Sequence, residues 1–426
     1  MMPKAARKFI VFLIMILSSG FAIAQQETLI DSVGIYTFTF RQFAEQDQRY
    51  NSAGKLEPLG TPFNKSFNGK NLIKGVGGEE LQKLADQLKR FDGVTAPADG
   101  LLNSLKLGKL HADIKGKVDA KIFSTAFGVT DHLTLYLGVP WVSASVDTKL
   151  NFSGDNNISE IRGRVGELAF EELKSGFNRA ETITTAQIKE NIYSKGYANL
   201  DHWQYNGLGD IVVGQNFGNL IRFNKTLKGY QLLNTSLSIP TGYYDDPDVL
   251  TDVSVGKGYY QLNNRYAQRF LVLNRIWAGA EFTYGYGLPT TVEKRLPETD
   301  ESLPSANRKT SVTFTPGADF DYGLLAGYNS RTWYMKLEYK LAIKRHMGDK
   351  YSGSRAGNYG KLSEATDSYQ FYHEPVFKLD STKRYQNGQA RLPYIFQLRA
   401  HLPITARNSS DERFYEAAIS SFFATK

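Results

Sequence analysis

The sequence predicts an all-β chain, a transmembrane antiparallel β-barrel of about 12 strands with long, partly helical extracellular loops. Three observations predict it. Strand-length segments alternate apolar and polar side chains with period two, the links between them alternate between short and long, and an aromatic content of 13% concentrates at segment ends.

The chain of 426 residues opens with a basic stretch, Met1 to Lys8, an apolar run, Phe9 to Leu17, and an Ala22-Ile23-Ala24 cleavage site. This reads as a secretory signal peptide over 1–24, with the mature protein starting near Gln25. The apolar run is about half of the ~20 residues a spanning helix needs. No later stretch reaches that length, so any membrane crossing must use strands. Cysteine is absent, which excludes a lipoprotein anchor, a disulfide framework, a thiolate zinc site and cysteine catalysis. The formal net charge is +8, and three of the basic residues, Lys4, Arg7 and Lys8, lie in the leader. No block of like charges marks a nucleic-acid-binding tail.

The first strand is expected at 34–43. It is followed by a long segment, 41–107, in which Leu81, Leu84, Leu88 and Phe91 give Glu79–Phe91 a helical apolar face. The division expected is thus a leader, a region 25–107 holding one strand and a loop or plug with an amphipathic helix, and a barrel over 108–426. Further strands are expected at 108–127, 132–148, 209–223, 229–240, 257–273, 276–289, 309–328, 332–346, 369–379, 388–404 and 412–423. Short helices are expected at Glu160–Leu173 and Thr184–Tyr193 within one long link. The strand at 369–379 is the weakest, because Pro375 removes a ladder donor. Prolines 140, 240, 289 and 403 mark long-loop ends. The even count returns both termini to the short-turn side. The final strand sets Tyr415, Ala417, Ile419, Ser421 and Phe423 on one face, and Trp141, Trp277, Trp333, Tyr394 and Phe423 are expected in interfacial girdles.

Alternation also sorts faces. In 112–127 the even positions from Ala112 to Ile122 are apolar, against Asp113, Lys115, Lys117, Asp119 and Lys121. From Trp333 onward, Met335, Leu337, Tyr339 and Leu341 oppose Lys336, Glu338 and Lys340. Near the C-terminus Phe396 and Leu398 oppose Arg399 and His401. With Glu281, the ionic members of these sets are expected to line a wet, charge-balanced lumen, and Ile122 and Leu337 to face lipid. A lipocalin-type soluble barrel would alternate equally well with its apolar face inward. The leader and the alternating link lengths favour the membrane barrel.

No catalytic or metal-binding constellation is present. The six histidines lack metal-ligand spacing, no G-x-S-x-G elbow occurs, and Gly75-Val76-Gly77-Gly78 lacks the lysine of a phosphate loop. No enzyme activity, cofactor or nucleic-acid partner is expected.

Several strings carry a family resemblance. Gly207-Leu208-Gly209-Asp210, Leu237-Ser238-Ile239-Pro240-Thr241-Gly242, Val255-Gly256-Lys257-Gly258 and Pro316-Gly317-Ala318-Asp319-Phe320 resemble the transporters of the MetA-pathway of phenol degradation, as does Phe127 to Leu133 with Gly138-Val139-Pro140. That family is similar in outline to FadL-type channels. The resemblance implies passive uptake of small hydrophobic or aromatic molecules, anionic ones included, across the outer membrane of a Gram-negative bacterium. It implies as partners the membrane lipid, a small-molecule solute and the barrel assembly machinery. The Asn-Pro-Ala plug motif of FadL channels is missing. The alternative function is a non-transporting surface barrel that binds a partner through its loops, and a secreted soluble β-protein is a third.

Overall fold

The computed structural model describes residues 33–68, 83–88 and 100–424, apart from 166, 199, 274, 299–302 and 331–333. The leader, Trp333 and the ends of the Glu79–Phe91 helix lie outside the described residues.

Twelve strands close a barrel in chain order. They are β1 (Val33–Phe43), β2 (Lys106–Gly128), β3 (Leu133–Ser153), β4 (Ile211–Arg222), β5 (Leu227–Ile239), β6 (Gln261–Val272), β7 (Ile276–Gly287), β8 (Asp319–Asn329), β9 (Met335–His346), β10 (Ser368–Asp380), β11 (Tyr394–Arg407) and β12 (Phe414–Ala424). Each pairs antiparallel with its neighbours, and β12 pairs with β1 from Val33↔Ala424 to Phe43↔Phe414, which closes the barrel. A further strand, His202–Leu208, pairs with the upper part of β3.

Short turns tie one end. At β2–β3 the Thr130 hydroxyl accepts from the Leu133 N–H (3.1 Å), and at β4–β5 the Asn224 side chain accepts from the N–H groups of Thr226 and Leu227 (both 2.8 Å). Such side-chain turns satisfy backbone donors without extra residues.

One expected strand is divided and another, the weakest, is intact. The segment 309–328 is not one strand. Lys309–Thr315 pairs instead with Thr290–Arg295 and Lys350–Ser352 in a small sheet of the loop region, and β8 begins at Asp319. The break falls at Pro316-Gly317-Ala318, where the Gly317 N–H turns to the Asp349 carboxylate (2.8 Å). By contrast, β10 runs through Pro375. That residue points outward, and the ladder to β11 skips from His373↔Leu402 to Val376↔Arg399.

The loop helices α1 (Ile158–Val165) and α2 (Glu167–Glu181) share a separate core, with Ile158, Ile161, Leu173 and Phe177 packed against Leu84 and Leu88 of the helical stretch 83–88. A third helix, α3 (Thr185–Ser194), starts with a capping box in which Thr184 and Gln187 satisfy each other's backbone donors.

The exterior carries an apolar band. Tyr36, Phe38 and Phe40 of β1 point outward, as do Phe123 and Phe127 of β2 and Leu135 and Trp141 of β3. Leu324 of β8 is 65% exposed. A row of large apolar side chains in water would be unstable, so this surface is a lipid-facing belt. Trp277 departs from the expected girdle. It is buried inside the barrel under the Arg269 guanidinium, 4.9 Å from the ring centroid.

Candidate functional site

The interior of the barrel has two unlike walls. Along β2 to β5 the inward positions are apolar or neutral: Ala120 and Ile122, Tyr136 and Val142, Val212 and Asn216, Leu232, Asn234 and Ser236. Asn234 donates to the Tyr136 hydroxyl (2.8 Å) and to Asn216 (2.6 Å), so this wall is held by neutral hydrogen bonds.

From β6 round to β1 the wall is ionic, and its charges interlock across strands. Arg41 meets Glu416 at 2.7 Å. Arg399 meets Glu374 at 2.6 Å, and His401 meets the same carboxylate at 2.8 Å. Lys340 bridges Glu281 (2.8 Å) and Asp321 (3.1 Å), while Arg265 closes on Glu281 from the other side. Lys378 pairs with Glu338 at 2.9 Å, and the Tyr372 hydroxyl donates to Asp321 at 2.5 Å. These groups are largely withdrawn from bulk water, where an unpaired charge would be costly, so each is matched by an opposite neighbour. Between the walls lies a cavity of about 230 Å³.

Of the ionic residues expected in the lumen, Glu281, Glu338, Lys340, Arg399 and His401 line this cavity. Lys336 shares their face of β9 near the short-turn end, paired with Asp380 at 3.0 Å. The β2 set is reversed. Asp113, Lys115, Lys117 and Lys121 are exposed on the outer surface and Asp119 is half-buried there, whereas Ala112, Ile114, Val118, Ala120 and Ile122 are buried inside. Ile122 therefore faces the lumen and not lipid.

The reason is height. A strand needs about 9–11 residues to cross the bilayer, and β2 has 23. Its upper half stands in water, where the outer surface is the polar one. The inner surface there is packed by the end of β1 and by folded loops: Phe43, Leu59, Val253 and Val255 join Ala112, Ile114, Val118, Val142 and Val146 in one core.

Val253 and Val255 belong to the link between β5 and β6, which folds into the mouth. Its base is pinned by Asp210, whose carboxylate accepts the N–H groups of Gly242 (3.0 Å) and Lys257 (2.8 Å). The two limbs of the loop touch at Gly242 and Gly256. A Cβ on Gly242 would lie 2.8 Å from the Gly256 Cα, so the approach requires glycine. Lys257 then reaches Asp319 (3.3 Å), which also holds Gln261 (2.6 Å) and His346 (2.7 Å), and His346 holds Asp349 (3.1 Å). Strings remote in sequence, around Asp210, Gly242, Gly256 and Asp319, thus form one polar node at the rim.

No family model matches the chain, and no curated protein matches it in sequence. Among solved structures, the COG4313 outer membrane channel from Pseudomonas putida F1 superposes with a TM-score of 0.51 at 9% identity, covering 94% of this chain and 98% of that one. This is an outer-membrane β-barrel fold. The CymD monoaromatic hydrocarbon channel has a TM-score of 0.29 at 8% identity, covering 93% of this chain and 89% of its own. A Pseudomonas aeruginosa FadL homologue has a TM-score of 0.26 at 8% identity, covering 92% and 90%. Both fall below the level of a shared fold. The MetA-pathway resemblance, carried by short strings, has no family-model match.

A second cluster sits in the inserted loop. Lys294 donates to Asp245, and its ammonium lies 5.0 Å from the Tyr244 ring centroid. Asp252 is fully buried, and one of its oxygens accepts from the Tyr243 hydroxyl (2.8 Å) and the Asp246 N–H (2.7 Å). Burial, reinforced by the Asp245 carboxylate, pushes the Asp252 carboxyl up to about 9.

Sequence reasoning missed Arg41, Arg265, Asp321, Glu374, Lys378 and Glu416. The signal for Arg41 was present, since it continues the Ile35, Thr37, Thr39 face, and Glu416 opposes the Tyr415, Ala417, Ile419 face. Both lie in strands whose other inward residues are uncharged or small, so a search for ionic runs passes over them.

Proposed function

We propose that the protein is a passive outer-membrane channel for small aromatic or otherwise hydrophobic molecules bearing a polar or acidic group. The observation that carries this reading is the pairing of an apolar and neutral wall with an ionic wall across a cavity of about 230 Å³. A cavity of about 150 Å³ holds a benzene, so the space suits one substituted ring and not a long chain. The neutral wall offers Ile122, Val142 and Leu232 to the ring. Lys340 and Arg399 offer donors to a phenol or carboxylate opposite it. The MetA-pathway resemblance points the same way. The proposed division keeps a leader over 1–24 and an N-terminal strand-and-loop region over 25–107.

The test is uptake by liposomes containing the refolded full chain. Benzoate and phenol are expected to enter faster than a hexose of similar size. A barrel closed to all three would overturn the reading and leave the surface-binding barrel in its place.

A further inference from the structure

The reversed lysines of β2 are left without a role by any reading of the lumen, and their position is specific. Phe40, Lys121 and Trp141 lie directly opposite one another across β1, β2 and β3. Below this row the outer surface is the aromatic belt of Phe38 and Phe123. Above it the cross-strand partners are polar: Lys117 opposes Ser145, Asp119 opposes Ser143, and the Trp141 indole N–H donates to Asn206 at 2.7 Å. Lys121 therefore stands at the upper edge of the lipid-facing band, flanked by Phe40 and Trp141. Lys117 stands four residues higher on the same face, about 13 Å along the strand. Both are exposed and neither forms an ion pair among the described residues. Asp119 lies half-buried between them, and Lys115 above them reaches the exposed Glu45 at 3.6 Å.

An ammonium at this height meets the headgroup layer of the leaflet on the long-loop side. We propose that this outer face of β2 seats a phosphorylated glycolipid of the outer leaflet. Lys121 and Lys117 take two phosphates borne at opposite ends of a disaccharide headgroup, while the acyl chains lie down the belt over Phe38, Phe123 and Trp141. The long lysine stems suit this, since they cover apolar surface and lift the charge to the polar layer. Charge complementarity selects this ligand over a zwitterionic phospholipid, whose own ammonium would oppose the lysines.

The experiment uses the refolded full chain in micelles with a chelator, so that no divalent ion bridges phosphate to Asp119. Binding of bisphosphorylated lipid A is followed by the rise in thermal midpoint as lipid is titrated. Folding of every variant is checked by its heat-dependent mobility on a denaturing gel. The pair Lys117→Gln/Lys121→Gln is expected to need about tenfold more lipid for half the effect, as two exposed charge contacts are lost. Lys117→Arg/Lys121→Arg should bind as the unaltered protein does, and Lys225→Gln/Lys228→Gln at the opposite end of the barrel should change nothing. Dephosphorylated lipid A should give little rise. Equal titrations for the Gln pair and the unaltered protein, an equal rise with dephosphorylated lipid, or full competition by inorganic phosphate would each overturn the proposal.

Discussion

The Asp210 carboxylate accepts the backbone N–H of Lys257 at 2.8 Å across 47 residues of sequence, and with it closes the base of the loop that fills the mouth. Asp210→Ala leaves the buried donors of Gly242 and Lys257 unsatisfied, at about 1–3 kcal/mol for such a group. Faster hydrogen exchange over 242–256 and a larger conductance are expected. Gly256→Ala should do the same, because its Cβ would come 2.4 Å from an Asp210 oxygen. Exchange and conductance unchanged in both variants would show that the pin does not hold the loop.

Arg399 stands between Glu374 and Glu416. Arg399→Leu strands buried carboxylates and should cost about 3–5 kcal/mol, read as a fall in thermal midpoint. The double change Arg399→Leu with Glu374→Gln should recover much of the loss, since both members of the pair then become neutral.

The lipid face has its own test. Leu324 pairs with Leu341 and Ala280 in the middle of its strand. Leu324→Arg should cost about 2–4 kcal/mol near the midplane and impair assembly. Ile122→Arg, which points into the lumen, should assemble and narrow the passage. Equal assembly defects would contradict the assignment of faces.

Asp252 gives a pH dependence with a defined sign. Its carboxyl is raised in the folded state to about 9. Its contribution is therefore complete below the ordinary carboxylate range, declines as pH rises, and is lost once pH passes about 9. Asp252→Asn should remove that slope. The midpoint of the variant should gain on the unaltered protein between about pH 4 and 9 and run parallel to it above.

Most of the staves were legible, because period-two alternation is local and survives any tertiary context. Strand ends were less so. The segment from Lys257 reads as strand, yet its N–H is taken by Asp210 and β6 starts at Gln261. Alternation also has a parity without a direction. In β9 the ionic face is inward, and in the upper half of β2 it is outward, although the two patterns look alike in sequence. What separates them is height relative to the bilayer and the loops that fill the mouth, and both depend on contacts far apart in the chain. The rim node was legible only as separate glycine-rich strings. Nothing in any one string says that Asp210 and Gly256 meet.

The ionic wall of the lumen has a kinetic consequence. Its cations each sit within reach of a carboxylate, as with Arg41 and Glu416 or Lys378 and Glu338. Fields from such close opposite pairs cancel over distances shorter than the Debye length, about 10 Å at 0.1 M salt. The mouth therefore exerts little pull on a charged solute still in the medium. Entry of acidic and neutral solutes should depend on ionic strength to the same small degree, and any preference between them should arise only after contact with the wall.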